Sequence, residues 1–312
     1  MAERLLEGKV AIVTGSGQGI GRCIALCLAE HGAKVVTNNR KPGSSIDAFE
    51  GEQLDFTDEE RKELEKFSGD ARTTADQIIA NGQEAIAVFG DVSKKEDAAR
   101  LVKAAVDKWG RIDILVNNAS SNWEGNILRM SEETWDIQIA SKLSGCFYMI
   151  HEALPYMMEQ GFGRIINSSS DAYKGIPEHT AYGAGNAGVV ALTRAAAYDL
   201  DGTGITINSY TPYARTRSWL NARTNYRLAG IPAEIIEANA PESMKRTAEG
   251  MVPFIAYLAS DEASGINGKL FQLKADGLIG LWNEPEVIKE VTKEDGNWSI
   301  DDLRREIPAL LS

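Results

Sequence analysis

The sequence predicts a single α/β domain in which helices cover both faces of a doubly wound, parallel sheet of about seven strands. Short apolar runs alternate with helical stretches, and near-continuous apolar strands are typical of a parallel sheet that is buried on both faces. A glycine-rich turn joins the first run to a helix, which is the second indication of this fold class. The runs are KVAIVTG (9–15), KVVTNN (34–39), AIAVFGDV (85–92), DILVNNA (113–119), GRIINSSS (163–170), ITINSYTP (205–212) and KLFQLKA (269–275).

The composition excludes several classes of protein. A net charge of -12 argues against a general affinity for nucleic acid, whose phosphates attract basic surfaces. The N-terminal stretch MAERLLEGKV lacks the apolar core of a signal peptide, and no apolar run approaches the roughly 18 residues of a membrane span. We therefore expect a cytoplasmic protein with no membrane segment. The three cysteines and three histidines form no ligand cluster, so we expect no metal site.

We place the dinucleotide-binding and catalytic domain at residues 1–275, and two segments lie outside its predicted core. Residues 41–69 are polar and acidic and form a surface insertion between the second and third strands. This insertion is a lid, a partner surface or a solvated excursion without function. Residues 276–312 form a C-terminal extension that we expect to pack on the domain or on a neighbouring subunit. Ser299, followed by two aspartates, predicts the start of a helix in that extension.

The glycine-rich stretch TGSGQGIGR, residues 14–22, predicts a site for a diphosphate. It lies between the first strand and a helix, where glycines allow the backbone to turn sharply and to approach a ligand closely. The helix that follows offers free N–H groups and the positive end of its dipole to a negative charge. A tight turn without a ligand is the weaker interpretation, because an entire alternating sheet follows this stretch.

Over roughly residues 5–275 the chain resembles the short-chain dehydrogenase/reductase family. TGSGQGIGR resembles the TGxxxGxG loop of that family, DV at 91–92 its adenine-contacting pair, and NNAS at 117–120 its NNAG, with Ser120 in place of glycine. The resemblance implies a Rossmann-type fold and a nicotinamide dinucleotide cofactor. The cofactor-binding residues that it implies are Gly15, Ser16, Gly17, Gly19, Ile20, Gly21, Asn39, Arg40, Asp91, Val92, Asn118, Ala119, Ser120 and Pro212.

The end of the second strand favours NADP(H) over NAD(H). Asn39 occupies the position where the resemblance predicts an aspartate in an NAD enzyme, and Arg40 follows it. An acidic side chain there would repel a 2′-phosphate, whereas a guanidinium binds phosphate with paired donors. NAD(H) stays possible if Arg40 is only a solvated loop residue.

The family places a catalytic serine at the end of strand five, a tyrosine in the next helix, a lysine one turn later and an asparagine in the preceding long helix. Tyr182 falls at the tyrosine position, which makes it the expected proton donor and acceptor. The serine is either Ser169, from its spacing to the tyrosine, or Ser170, from the alignment of the strand. Strand register decides which side of the sheet a residue faces, so we prefer Ser170.

The lysine and asparagine positions are exchanged in this chain. Asn186 stands where the family has lysine, and Lys142, in the stretch SKLSG, stands where it has asparagine. A phenol has an ordinary pKa of about 10, which a nearby cation lowers by about 1–3 units. Our hypothesis is that Lys142 supplies that cation while Asn186 holds the ribose or a relay water. Alternatively, Lys142 points to solvent, and the chain is a slow enzyme, a cofactor-binding subunit of a hetero-oligomer or a dinucleotide sensor.

The loops after strands four, five and six are expected to surround a small-molecule substrate. They nominate residues 122–123, 171–178 and 213–219. Within these loops, Trp123 and Tyr213 are candidate substrate contacts, and either Arg215 or Arg217 is a candidate partner of an anionic group. ARTRSW and GNWSIDDLRREIPALL resemble the (3R)-hydroxyacyl-CoA dehydrogenase branch of the family, which implies interconversion of a secondary alcohol and a ketone on a hydroxyacyl or cyclic substrate. The resemblance also implies a homodimer or homotetramer.

Overall fold

The computed structural model describes residues 4–43, 56–121, 125–294 and 298–311. The chain divides into two compact units, Met1–Leu281 and Trp282–Ser312. The predicted substrate residue Trp123 and the middle of the predicted insertion, residues 44–55, lie outside the described residues.

The larger unit is built on an eight-stranded sheet with the order β3-β2-β1-β4-β5-β6-β7-β8. Strands β1 to β7 pair in parallel, as predicted, and the order reverses beside β1, where the crossovers pass from one side of the sheet to the other. The strands are β1 Val10–Val13, β2 Lys34–Asn39, β3 Ala85–Phe89, β4 Ile114–Asn117, β5 Gly163–Ser168, β6 Ile205–Tyr213, β7 Leu270–Lys274 and β8 Ile279–Leu281.

Helices cover both faces of this sheet because its strands carry apolar side chains on both sides. Successive side chains of a strand point to opposite faces. The described helices of this unit are α1 Gly19–Glu30, α2 Asp58–Lys66, α3 Ala71–Ala80, α4 Lys95–Trp109, α5 Glu132–Ile139, α6 Gly145–Gln160, α7 Thr180–Asp199, α8 Arg217–Leu228, α9 Ala233–Asn239 and α10 Val252–Leu258. Ala11 and Val13 of β1 therefore pack in the core cluster under α1 and α10, on one face of the sheet. Val10 and Ile12 pack in the cluster under α4 and α6, on the other face.

The eighth strand differs from the sequence prediction, which ended the core at residue 275. The chain reverses at Gly277, whose φ of 99° is open to glycine, and Ile279–Leu281 then pairs antiparallel with β7. A strand of three residues with a central glycine is too short to show an alternation of apolar and polar side chains, so only its pairing with β7 identifies it.

The smaller unit contains the helix α11, Ile300–Leu311. Its start is the predicted one, because the Ser299 hydroxyl accepts a hydrogen bond from the Asp302 amide at 3.1 Å. The Lys293 ammonium pairs with the Asp302 carboxylate, and this contact holds the pKa of that carboxyl well below its usual range. In the described part of the chain, no helix combines the length and the hydropathy that crossing a membrane requires.

Candidate active site

A cavity of about 650 Å³ lies at the carboxyl ends of the parallel strands and contains most of the predicted site residues in its wall. Among the predicted residues that the structure describes, four do not line it: Ser16, Gly17, Asn186 and Arg215. The predicted residues that line it are Gly15, Gly19, Ile20, Gly21, Asn39, Arg40, Asp91, Val92, Asn118, Ala119, Ser120, Lys142, Ser169, Ser170, Tyr182, Pro212 and Tyr213.

The glycine-rich loop is shaped by close backbone contacts. Gly15 has a φ of 63°, and a Cβ built on it would lie 2.9 Å from the Cα of Ala119. A Cβ on Gly21 would overlap the carbonyl oxygen of Gly15. The loop therefore requires glycine at both positions to bring the start of α1 against the ends of β1 and β4.

The start of α1 fits a diphosphate. Gln18 precedes the helix without a side-chain cap, and the first turn, Gly19 to Arg22, contains no acidic side chain. The first N–H groups of a helix lack partners within the helix, so a bound phosphate can accept from them. Arg217 of α8 adds a positive group here, since its Nη1 donates to Gln18 Oε1 at 2.9 Å. The loop and helix are thus suited to the diphosphate of a dinucleotide.

At the end of β2, Asn39 and Arg40 differ in what they present to the cavity. The Asn39 Oδ1 atom is buried against Gly17 and has no hydrogen-bond partner among the described residues. Arg40 is exposed and lines the cavity. Arg40 is therefore the charged side chain at this end of β2. None of the residues from Asn38 to Arg40 has a carboxylate that would repel a 2′-phosphate.

Tyr182 and Ser170 meet in the cavity wall. Burial raises the pKa of the Tyr182 phenol, and hydrogen bonds with the side chains of Ser170 and Asn186 offset part of the rise. The Ser170 hydroxyl also accepts from the Ala172 amide at 3.2 Å, at the start of the short helix Asp171–Lys174. Ser169 instead donates its hydroxyl hydrogen to the Asn186 carbonyl at 3.1 Å. Ser170, rather than Ser169, is therefore the serine that lowers the pKa of the phenol, which favours it as the partner of Tyr182.

Asn186 belongs to the helix rather than to the cavity. It is fully buried, and its Nδ2 donates to the Tyr182 carbonyl oxygen at 2.8 Å, one turn earlier in α7. Its Oδ1 has no partner in the described ranges. Asn186 is not among the residues that line the cavity, and its predicted contact with a ribose or a relay water stays a prediction.

Lys142 lies in a π turn, Ala140–Ser144, that joins α5 to α6, and it is 2% exposed, so it does not point to solvent. A Cβ built on Gly185 of α7 would lie 3.4 Å from the Cβ of Lys142. Lys142 therefore packs close to α7 at Gly185, the neighbour of Asn186 in the sequence. Burial lowers the pKa of the ammonium to about 8, against the opposing influence of the Cys146 thiol. Single π turns in long helices frequently occur at functional sites.

The predicted substrate residues separate into two groups. Tyr213 lines the cavity and donates its phenol hydrogen to Asp171 Oδ2 at 2.9 Å. Burial and the Asp171 carboxylate raise the pKa of Tyr213 to about 12. Arg215 is outside the cavity wall and binds Glu63 of α2, whereas Arg217 lines the cavity. Of the two arginines, the structure therefore favours Arg217 as the partner of an anionic ligand.

Sequence reasoning missed several residues in the cavity wall, Phe67 among them. Asp171 lies in the wall, within the loop 171–178 that the sequence nominated after strand five. Phe67 comes from the insertion, where no local pattern relates it to the strands that it approaches.

Comparison with known proteins relates the chain to oxidoreductases over most of its length. The family described as short chain dehydrogenase matches residues 9–60, and the family described as Enoyl-(Acyl carrier protein) reductase matches residues 64–276. A 3-oxoacyl-[acyl-carrier-protein] reductase from Synechocystis is 34% identical over 271 residues, which cover 86% of this chain and 96% of the relative.

Hydroxyacyl-CoA dehydrogenase ChsB1 from Mycobacterium tuberculosis is 33% identical over 307 residues, 96% of this chain and 87% of the relative. The crystal structure of a short chain dehydrogenase from Mycobacterium avium superimposes with a TM-score of 0.78 at 30% identity, covering 98% of this chain and 96% of the other. The similarity to these two proteins extends over nearly the entire chain.

Proposed function

The chain belongs to the short-chain dehydrogenase/reductase family and is an oxidoreductase, and we propose that it interconverts a secondary alcohol and a ketone on a hydroxyacyl thioester, with NADP(H) as the preferred cofactor. The single observation that carries the proposal is that Tyr182 and Ser170 line the same cavity as the glycine loop. This arrangement brings a proton carrier and a second hydroxyl to the wall of a dinucleotide site.

Each group has a distinct role in the proposed reaction. The bound dinucleotide supplies or accepts the hydride. Tyr182 donates its phenol proton to the carbonyl oxygen during reduction and takes it back during oxidation. Ser170 donates a hydrogen bond to the same oxygen and stabilises the negative charge that develops on it. Both hydroxyls thus act on one atom of the substrate.

Lys142 is the proposed source of the positive charge near the phenol. A cation favours the ionised form of a nearby tyrosine, so it opposes the rise that burial causes in the pKa of Tyr182. Two observations support this role: Lys142 lines the cavity that Tyr182 also lines, and it packs against α7 at Gly185.

Two features support the choice of substrate and cofactor. Both curated relatives described above carry names that refer to acyl thioesters, and the one whose match extends over 96% of this chain is named a hydroxyacyl-CoA dehydrogenase. The exposed Arg40 at the end of β2 supports NADP(H), because its guanidinium can bind a 2′-phosphate. By analogy with the family we also propose a homodimer or homotetramer.

A second candidate function is a cofactor-binding subunit or sensor with little turnover. One observation favours it: the side chains that lower the pKa of Tyr182 in this structure, Ser170 and Asn186, are both uncharged. Under this alternative, Lys142 has a packing role, and the phenol stays too weak an acid for rapid proton transfer.

Oxidation of NADPH by the purified protein with acetoacetyl-CoA separates the two candidates. The first predicts turnover that is lost in Tyr182→Phe, while binding of NADPH stays unchanged in that variant. The second predicts that NADPH binds and that turnover is absent from the wild type and the variant alike. A panel of cyclic ketones is assayed in parallel. If only those compounds react, the substrate is a cyclic ketone and not a hydroxyacyl thioester.

A further inference from the structure

The segment that ends α2 lies directly against the glycine loop. A Cβ built on Gly17 would overlap backbone atoms of Asp70, and a Cβ on Gly69 would lie 2.7 Å from the Gly17 carbonyl oxygen. Arg22 of α1 donates from Nη1 to the Ser68 carbonyl at 3.5 Å. The described end of the insertion is therefore part of the wall of the dinucleotide site and not a solvated excursion.

The aromatic ring of Phe67 lines the cavity at the end formed by β2. It lines the cavity together with Asn39 and Arg40 at the end of β2 and Gly90 after β3. In doubly wound sheets, the residue at the end of the second strand contacts the ribose next to the base. Phe67 consequently lies on the adenosine side of the site, away from the Tyr182 phenol.

Charged contacts hold α2 in place. Glu63 accepts hydrogen bonds from Arg215 at 2.6 Å and from Arg223 at 2.9 Å, and Glu60 accepts from Arg227 at 3.1 Å. Each of these side chains is less than a third exposed. Bidentate and charge-assisted bonds of this kind fix geometry strongly. The helix is therefore held against α8, with Phe67, the residue that follows its last turn, at the cavity.

We propose that Phe67 stacks against the adenine ring of the bound dinucleotide, which makes the insertion a part of the cofactor site. The flat face of an aromatic side chain attracts the face of any nucleobase, and such contacts are lost on truncation to alanine. The role goes beyond the family's adenine-contacting pair, Asp91 and Val92, because α2 is part of the insertion. The inference rests on dinucleotide binding alone and not on the reaction proposed above.

Calorimetric titration with two fragments of the cofactor tests this role. ADP contains the adenine, whereas reduced nicotinamide mononucleotide contains only the other half. Phe67→Ala is expected to weaken binding of ADP and NADPH by roughly 5- to 150-fold, the range for loss of one base stack, and to leave the mononucleotide unchanged. Phe67→Tyr keeps the ring and should bind all three ligands like the wild type.

Leu64→Ala is the matched control, since Leu64 lies on the same helix, is partly buried and is outside the cavity wall. It should bind all three ligands normally. Equal weakening of ADP and the mononucleotide in Phe67→Ala, or no weakening of ADP, would overturn the proposal. Because the measurements need no turnover, they stay decisive even if the proposed reaction fails.

Discussion

Replacing Lys142 by methionine is expected to stabilise the protein while it damages the reaction. The ammonium is buried, and burial lowers its pKa from the ordinary 10.5 to about 8. At about 1.4 kcal/mol for each pKa unit, the charged form costs the folded state about 3 kcal/mol at pH 7. Methionine has a similar length and carries no charge, so Lys142→Met should recover most of that free energy of unfolding.

The sign of the pH dependence follows from the same shift. Between pH 8 and 10.5 the unfolded chain keeps the lysine proton, whereas the folded chain has released it. Raising the pH through this window therefore stabilises the wild type, because the unfolded state binds more protons. The advantage of Lys142→Met should shrink from about 3 kcal/mol at pH 7 to nearly zero above pH 10.5.

Urea unfolding of the cofactor-free protein at several pH values measures this difference. Lys103→Met is the control, because Lys103 is 68% exposed and paired with Asp107 on the surface of α4, where a change is expected to stay within about 0.5 kcal/mol. A Lys142→Met protein that is less stable than the wild type at pH 7 would refute the reasoning. That result would mean that groups in contact with the Lys142 ammonium stabilise its charge by more free energy than burial of the charge costs.

Three further changes test the site. Arg40→Gln should weaken NADPH binding by roughly 10- to 150-fold and leave NADH unchanged, which titrations would show; equal losses for both would contradict the 2′-phosphate contact. Ser170→Ala should lower kcat by about 100-fold or more, whereas Ser169→Ala should cost about 1 kcal/mol of stability and little kcat, and the reverse pattern would exchange their roles. Ketone reduction by the wild type should fall as the pH rises through about 8, where Lys142 loses its charge; a flat rate from pH 7 to 9 would count against that role.

Much of the fold could be predicted because its signals are local. The seven parallel strands are apolar on both faces, and the glycine loop has strand before it and helix after it, so short stretches of chain identify them. Tyr182 could be placed in the same way, from its position in a recognisable motif. The eighth strand could not be predicted, because its three residues are recognisable as a strand only from their pairing with β7.

Sequence alone determined the class of sheet and the position of the glycine-rich loop, and it led to the hypothesis that lysine and asparagine are exchanged between residues 142 and 186. Tertiary structure alone decided which side chains face the cavity: Ser170 meets the phenol, Arg215 is held by Glu63, and Phe67 arrives from the insertion. The physical reason is that strand and helix periodicity act over a few residues. The direction of a charged or aromatic side chain depends instead on partners that are distant in the chain and adjacent only after folding.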